Sequence, residues 1–166
     1  MRERGVVLEQ LKDILAKKFE EIVKRATLVI EQLSDEEVNW RPNESSNSIA
    51  NLVIHIEGNI YERIGKGMNK KDFNRNRDAE FEIITKTKSE LIESLENSFG
   101  ELIATTKGMT NTLMAQVQTV RNIERTNLDV LIQCATHFSE HVGQMMYICK
   151  MIKNHDYVST TIPKKK

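Results

Sequence analysis

Apolar residues recur every three or four positions through most of the chain, the repeat of one helical face rather than the alternation of a strand. Four stretches carry this repeat. The first runs from about Val7 to Leu33, with Leu11, Leu15, Phe19, Ile22, Ala26 and Val29 on one face. It stops at Ser34, which with Glu37 forms a capping-box pattern for a short extra turn, before Trp40-Arg41-Pro42 forces extended geometry. The polar run from Asn43 to Asn47 supplies loop and cap residues. The second stretch spans about Ser48 to Ile64 through Ile49, Leu52, Val53, Ile56 and Ile60, with Gly65 and Gly67 expected to end it. Lys66 to Asp78 is a charged run that reads as a solvated connection without chemistry. The third stretch, roughly Ala79 to Thr106, carries Ile84, Leu91, Leu95, Phe99 and Leu102, although Gly100 inside it costs about 1 kcal/mol against Ala. Gly108 to Arg125 fits neither period and reads as an irregular crossover with room for a short strand or helical turn. The fourth stretch begins at Thr126, a cap with Asp129 at its third position, and continues through Leu131, Cys134, Phe138, Val142, Met145, Cys149 and Ile152.

Four long helices, no strong strand run and no internal repeat predict an all-α four-helix bundle, one domain over residues 1–153. Residues 154–166 form a tail expected to fray. At 166 residues such a chain buries roughly two-thirds of its unfolded surface, so it needs no disulfide or structural metal to hold a core. Lys plus Arg equals Asp plus Glu at 24 each. This neutral balance lacks the basic footprint on which nucleic-acid or membrane-surface binding rests, and neither partner is expected. The apolar runs are far short of the roughly 18 residues that span a bilayer. Met1-Arg2-Glu3-Arg4-Gly5 is followed by no apolar signal region, which predicts a cytoplasmic protein. Cys134 and Cys149, fifteen positions apart on one helix, would be separated by about 22 Å, so they read as reduced thiols.

The histidines change the picture. His137 and His141 are four apart in the last helix, so their rings point the same way with Cβ atoms about 6 Å apart. Their stripe also holds Val130, Cys134, Met145 and Ile148, which turns it toward the core. Buried imidazole lone pairs left unmet cost about 1–3 kcal/mol each, and a divalent ion would resolve that. His55 in the second helix shares a polar stripe with Ser48, Asn51, Asn59 and Glu62, bordered by Ile54 and Ile56. That stripe is either a wet surface or the lining of a polar pocket within the bundle. The second reading makes His55, His137 and His141 a three-histidine metal site, with Asn51 and Asn59 lining it. Three nitrogen ligands and an open position are typical of catalytic zinc, which either lowers the pKa of a water toward about 7 or holds a thiolate. His137-Phe138-Ser139-Glu140-His141 also spells the H-x-x-E-H peptidase pattern. Only Asp156 lies downstream as an acidic residue, so the acidic third ligand of such peptidases is missing and Glu140 reads mainly as solvated. Cys134 reads as a small hydrophobe before a fourth ligand.

The stretch from Leu33 to Pro42, the run Ser48-Ile49-Ala50-Asn51-Leu52-Val53-Ile54-His55 and the segment His137 to Gln144 together resemble the DinB/YfiT-like superfamily of metal-dependent enzymes. The resemblance spans nearly the whole chain. It implies an up-down-down-up four-helix bundle, often a homodimer, in which His55, His137 and His141 bind zinc, nickel or a similar divalent ion. It places Gln144 next to the ligands or in the packing around them. For activity it implies a small-molecule substrate, and in some members transfer of a low-molecular-weight thiol such as bacillithiol or mycothiol. Two functions follow as expectations. One is a metal-dependent enzyme that transfers a thiol to, or hydrolyses, a small electrophile. The alternative is a non-catalytic helical binding or dimerisation module with a vestigial metal site.

Overall fold

The computed structural model describes residues 2–162. Its long helices are α1 (Arg2–Glu31), α3 (Ile49–Ile60), α4 (Lys88–Lys107) and α6 (Asn127–Lys153). The short helices α2 (Asp35–Asn39) and α5 (Asn111–Ala115) lie in connections. α1 packs on α4 and α6, and α3 packs on the same two, so each pair flanks the other around one core. That core joins Phe19, Ile22 and Val29 from α1 with Leu52 and Ile56 from α3, Leu95 and Phe99 from α4, and Phe138 and Val142 from α6. The protein is all-α apart from one hairpin, and no helix among the described residues is long and apolar enough to cross a membrane.

Capping chemistry sets the helix starts. Ser34, Ser48 and Thr87 each close a capping box, and Thr126 accepts the Asp129 backbone N–H. The Thr87 box corrects the third stretch, whose helix begins at Lys88 rather than near Ala79. Residues 78–87 are held out of the helix by their neighbours. Arg41 donates to the carbonyls of Phe81 and Glu82 at 2.6 Å each, and Asn51 Nδ2 donates to those of Glu80 and Glu82 at 2.8 and 2.9 Å. Only a single 3₁₀ turn, Asp78–Phe81, forms there.

The end of α3 also departs from expectation. Neither Gly65 nor Gly67 makes a left-handed cap; the chain runs on through one π-helical turn, Tyr61–Lys66. Gly67 N–H bonds the Glu62 carbonyl and Met68 N–H the Ile64 carbonyl, so the Arg63 carbonyl is skipped. Gln118 fills the gap, donating to Arg63 O at 3.2 Å. Gly67 is needed there, since a Cβ would collide with both Arg63 O and the Gln118 side chain. Gln118 belongs to the hairpin of β1 (Val117–Val120) and β2 (Ile123–Thr126), which occupies the stretch expected to be irregular. Its two-residue turn, Arg121-Asn122, has φ of 51° and 64°, the pairing a type I′ hairpin turn demands.

The tail continues as a 3₁₀ turn, Asn154–Asp156, and is tied back to α1 by the Val158 N–H donating to Gln32 at 2.8 Å. Its last four positions, 163–166, lie outside the described residues. Cys134 and Cys149 are both buried and free.

Gly58 sits in the middle of α3, where Ala would ordinarily be favoured by about 1 kcal/mol. Here a Cβ would strike the Glu80 carboxylate and come within 3.0 Å of Arg75 Nε. Gly58→Ala is therefore expected to destabilise the protein by about 1–2 kcal/mol in thermal or urea melts, by the overpacking cost of a filled interior. A stabilised variant would contradict this packing.

Candidate metal centre

His55 lies midway along α3, and His137 and His141 lie one turn apart on α6, which packs against it. The three form a group whose ligating nitrogens all fall within 4.8 Å of one another. His137 Nε2 is 3.3 Å from His55 Nε2 and 3.2 Å from His141 Nε2. Two ligands bound to zinc at 2.0–2.1 Å and a tetrahedral angle are about 3.3–3.4 Å apart. The spacing of the imidazoles thus fits one divalent ion.

Each ring is turned by what stands behind it. His55 is 4% exposed, and its Nδ1 is 2.8 Å from Glu80 Oε2. His141 Nδ1 is 3.3 Å from Gln144 Oε1, and Glu140 Oε2 lies 3.9 Å from His137 Nδ1. A proton on Nδ1 directed at an oxygen leaves the Nε2 lone pair free for an ion, the usual support of metal-bound histidine. Charge points the same way. Burial pushes His55 and His137 down to about 4, with the charge of neighbouring groups adding to it and Glu80 opposing it at His55. Burial also lowers His141. All three rings are therefore neutral near pH 7 and able to ligate.

The strongest support around the site comes from residues to which the sequence pattern assigned no chemistry. Glu80, 5% exposed, is held by Arg75 through two bonds, Nε to Oε1 at 2.6 Å and Nη2 to Oε2 at 2.7 Å. This forked pairing fixes the carboxylate in plane as well as in place. Arg75 also reaches Glu62 at 2.7 Å. The charged run read as a solvated connection thus delivers a buried arginine. Phe81 packs on the His55 ring at 5.1 Å, so the whole segment 75–81 lies over that histidine. No local pattern marks Glu80 as a partner of His55, 25 positions away. The one sequence trace is Gly58, a small residue on the same helix where the segment approaches.

Asn51 caps α3 and holds the backbone of Glu80 and Glu82, so it acts on His55 through that segment rather than facing the imidazole nitrogens. Asn59 Nδ2 stands 3.1 Å from His55 Nε2 and donates to the His55 carbonyl at 2.8 Å. It is placed beside the nitrogens that would hold the ion. Glu140 is 73% exposed and sits behind His137, away from the Nε2 atoms, which does not suit the general base of the peptidase pattern. Cys134 is outside the three-residue group. A cleft of about 770 Å³ adjoins the site, lined by Leu52, Glu140, Gln144, Tyr147, Ile148 and Met151 among others.

Comparison with known proteins agrees with this architecture. The family described as "Protein of unknown function (DUF1572)" matches residues 7–166. No curated protein matches the sequence. A conserved protein from Enterococcus faecalis superposes with a TM-score of 0.73 at 14% identity, covering 86% of this chain and 96% of its own. A DinB-like protein from Bacillus cereus gives 0.65 at 13% identity, and one from Bacillus subtilis 0.64 at 16%, each covering 83% of this chain and 90% of its own. Likeness at such low identity speaks for the fold. With nearly its whole length matched, the chain belongs to the DUF1572 family, and its fold is similar to that of the DinB-like proteins.

Proposed function

We propose that His55, His137 and His141 hold a divalent ion, zinc or nickel, and that the protein is a metal-dependent enzyme acting on a small electrophile. The observation that carries this is the convergence of three neutral imidazoles, His137 Nε2 lying 3.2–3.3 Å from the Nε2 atoms of the other two, which are backed by a buried carboxylate and an amide oxygen. When bound, such an ion supplies Lewis-acid chemistry, lowering the pKa of a water or thiol beside it. The reaction would be transfer of a low-molecular-weight thiol or hydrolysis, according to whether a thiol or a water takes the open position. The adjoining cleft, with Leu52, Tyr147, Ile148 and Met151 in its wall, suits a small apolar acceptor. Gln144 at its edge keeps His141 turned inward. The reading includes a homodimer in the cytoplasm, whose interface would cover exposed apolar residues such as Val7, Ile14 or Ile132.

Elemental analysis of the purified protein is expected to give near one divalent ion per chain, and His137→Ala to remove it. A variant that keeps its full metal content would refute the ligand set. A full-length protein that carries no metal, regains none on incubation with zinc or nickel, and melts alike with and without chelator would instead favour the non-catalytic module.

Glu80→Gln should weaken metal affinity by roughly 10–100-fold, the usual cost of losing the partner behind a ligating imidazole, while far-UV circular dichroism stays helical. Unchanged affinity would show that Glu80 does not tune the site.

The depressed histidines also set a pH dependence. Between the ordinary 6.5 and the folded values near 4, the unfolded chain takes up protons that the folded chain does not. Stability is then whole above about pH 6.5 and declines as pH falls toward 4. The melting temperature of metal-free protein should drop across that window, and His137→Gln should flatten the drop. A flat wild-type profile would mean that these rings are not buried neutral.

A further inference from the structure

Arg63 is a buried cation without a partner. It is 7% exposed, and its Nε is sealed from solvent with no hydrogen-bond acceptor. Arg75 shares Glu62 and Glu80, whereas Arg63 makes no ion pair among the described residues. A buried charge is retained against a large desolvation cost, and no carboxylate among the described residues pairs with this one. The neighbouring thiol does not serve, because burial pushes Cys134 up to about 11 and keeps it protonated even with Arg63 favouring the thiolate.

Its position explains what it could be kept for. Along the seam between α3 and α6, Leu52 and Ile148 line the cleft, His55, His137 and His141 occupy the middle, and Arg63 with Cys134 follows beyond. Arg63 follows His55 by eight positions and rides on the π-helical turn whose skipped carbonyl is pinned by Gln118. π-turns gather at functional sites more than elsewhere.

We propose that Arg63 forms an oxyanion-binding subsite beyond the three histidines along the α3–α6 seam, and that the substrate or thiol used there carries a carboxylate or phosphate. The guanidinium fork suits either group, and its burial makes the pairing selective against neutral analogues. The inference rests on the metal-enzyme reading for what the neighbouring histidines do, but anion binding itself does not need the ion.

The test compares 3-mercaptopropionate with its neutral isostere 3-mercaptopropanamide by calorimetry, on zinc-loaded and on metal-free full-length protein. Inorganic phosphate and propionate serve as competitors and tell which oxyanion the subsite prefers. The acid is expected to bind at least about tenfold tighter than the amide, the value of a charge-assisted bond in a buried site. Arg63→Met should abolish that preference, leave metal content and amide binding unchanged, and melt several degrees higher than wild type in anion-free buffer, since an unpaired charge is replaced by an apolar side chain. Arg63→Lys should keep part of the preference. Equal binding of acid and amide to wild type, or a preference that survives Arg63→Met, would overturn the proposal while leaving the metal reading intact. So would an Arg63→Met protein that melts lower than wild type or fails to fold, the behaviour of a structural arginine. A wild type that binds no metal yet still discriminates acid from amide would sink the metal reading and sustain this one.

Discussion

His137 Nε2 lies 3.2–3.3 Å from the Nε2 atoms of both His55 and His141. Neutral imidazoles crowded in this way present more acceptor lone pairs than the neighbouring donors meet, Asn59 Nδ2 reaching only that of His55, and in a buried site an unmet acceptor is costly. The chain nevertheless enforces this meeting. Glu80 turns His55, Gln144 turns His141, and the packing of α3 on α6 brings the two helices' histidines to one point. The proposed divalent ion would meet the lone pairs that this arrangement brings together.

Support for His55 is layered. Asn51 and Arg41 hold the backbone of residues 80–82, Arg75 grips the Glu80 carboxylate, and Gly58 leaves the room for both side chains. Arg41 also donates to Asn51 Oδ1, so these groups form one network that limits how far His55 can rotate. The α6 pair needs less. Its two rings are aligned by helical spacing alone, one turn apart. That asymmetry accounts for a 75–87 connection that forms only one 3₁₀ turn instead of lengthening α4.

Much of this was legible in the sequence, and the missing parts have a common cause. The helical repeat marked out α1, α3, α4 and α6, and Ser34 and Thr126 announced the caps of α2 and α6, whereas the cap of α3 is Ser48 rather than a residue of the Asn43–Asn47 run. The i,i+4 histidines on an otherwise apolar stripe pointed to the site, and His55 joined them from a stripe whose own pattern allowed a wet surface. What was missed depends on contacts between distant segments. Apolar residues at 81 and 84 continued the helical repeat past Thr87, but the carbonyls of residues 80–82 are taken by Arg41 and Asn51. Arg75 and Glu80 looked like solvated charges because nothing local reveals that they close over α3. Gly65 and Gly67 read as a helix end, while the tertiary contact with Gln118 made the chain turn through a π-helix instead.

The central claim is that a metal sits among these three rings and is held by them alone. X-ray absorption at the metal edge of the loaded full-length protein tests it most directly. The account predicts three imidazole nitrogens at about 2.0–2.1 Å with the remaining coordination from light atoms. A sphere with one histidine or none, or with a sulfur at about 2.3 Å from Cys134, would contradict it.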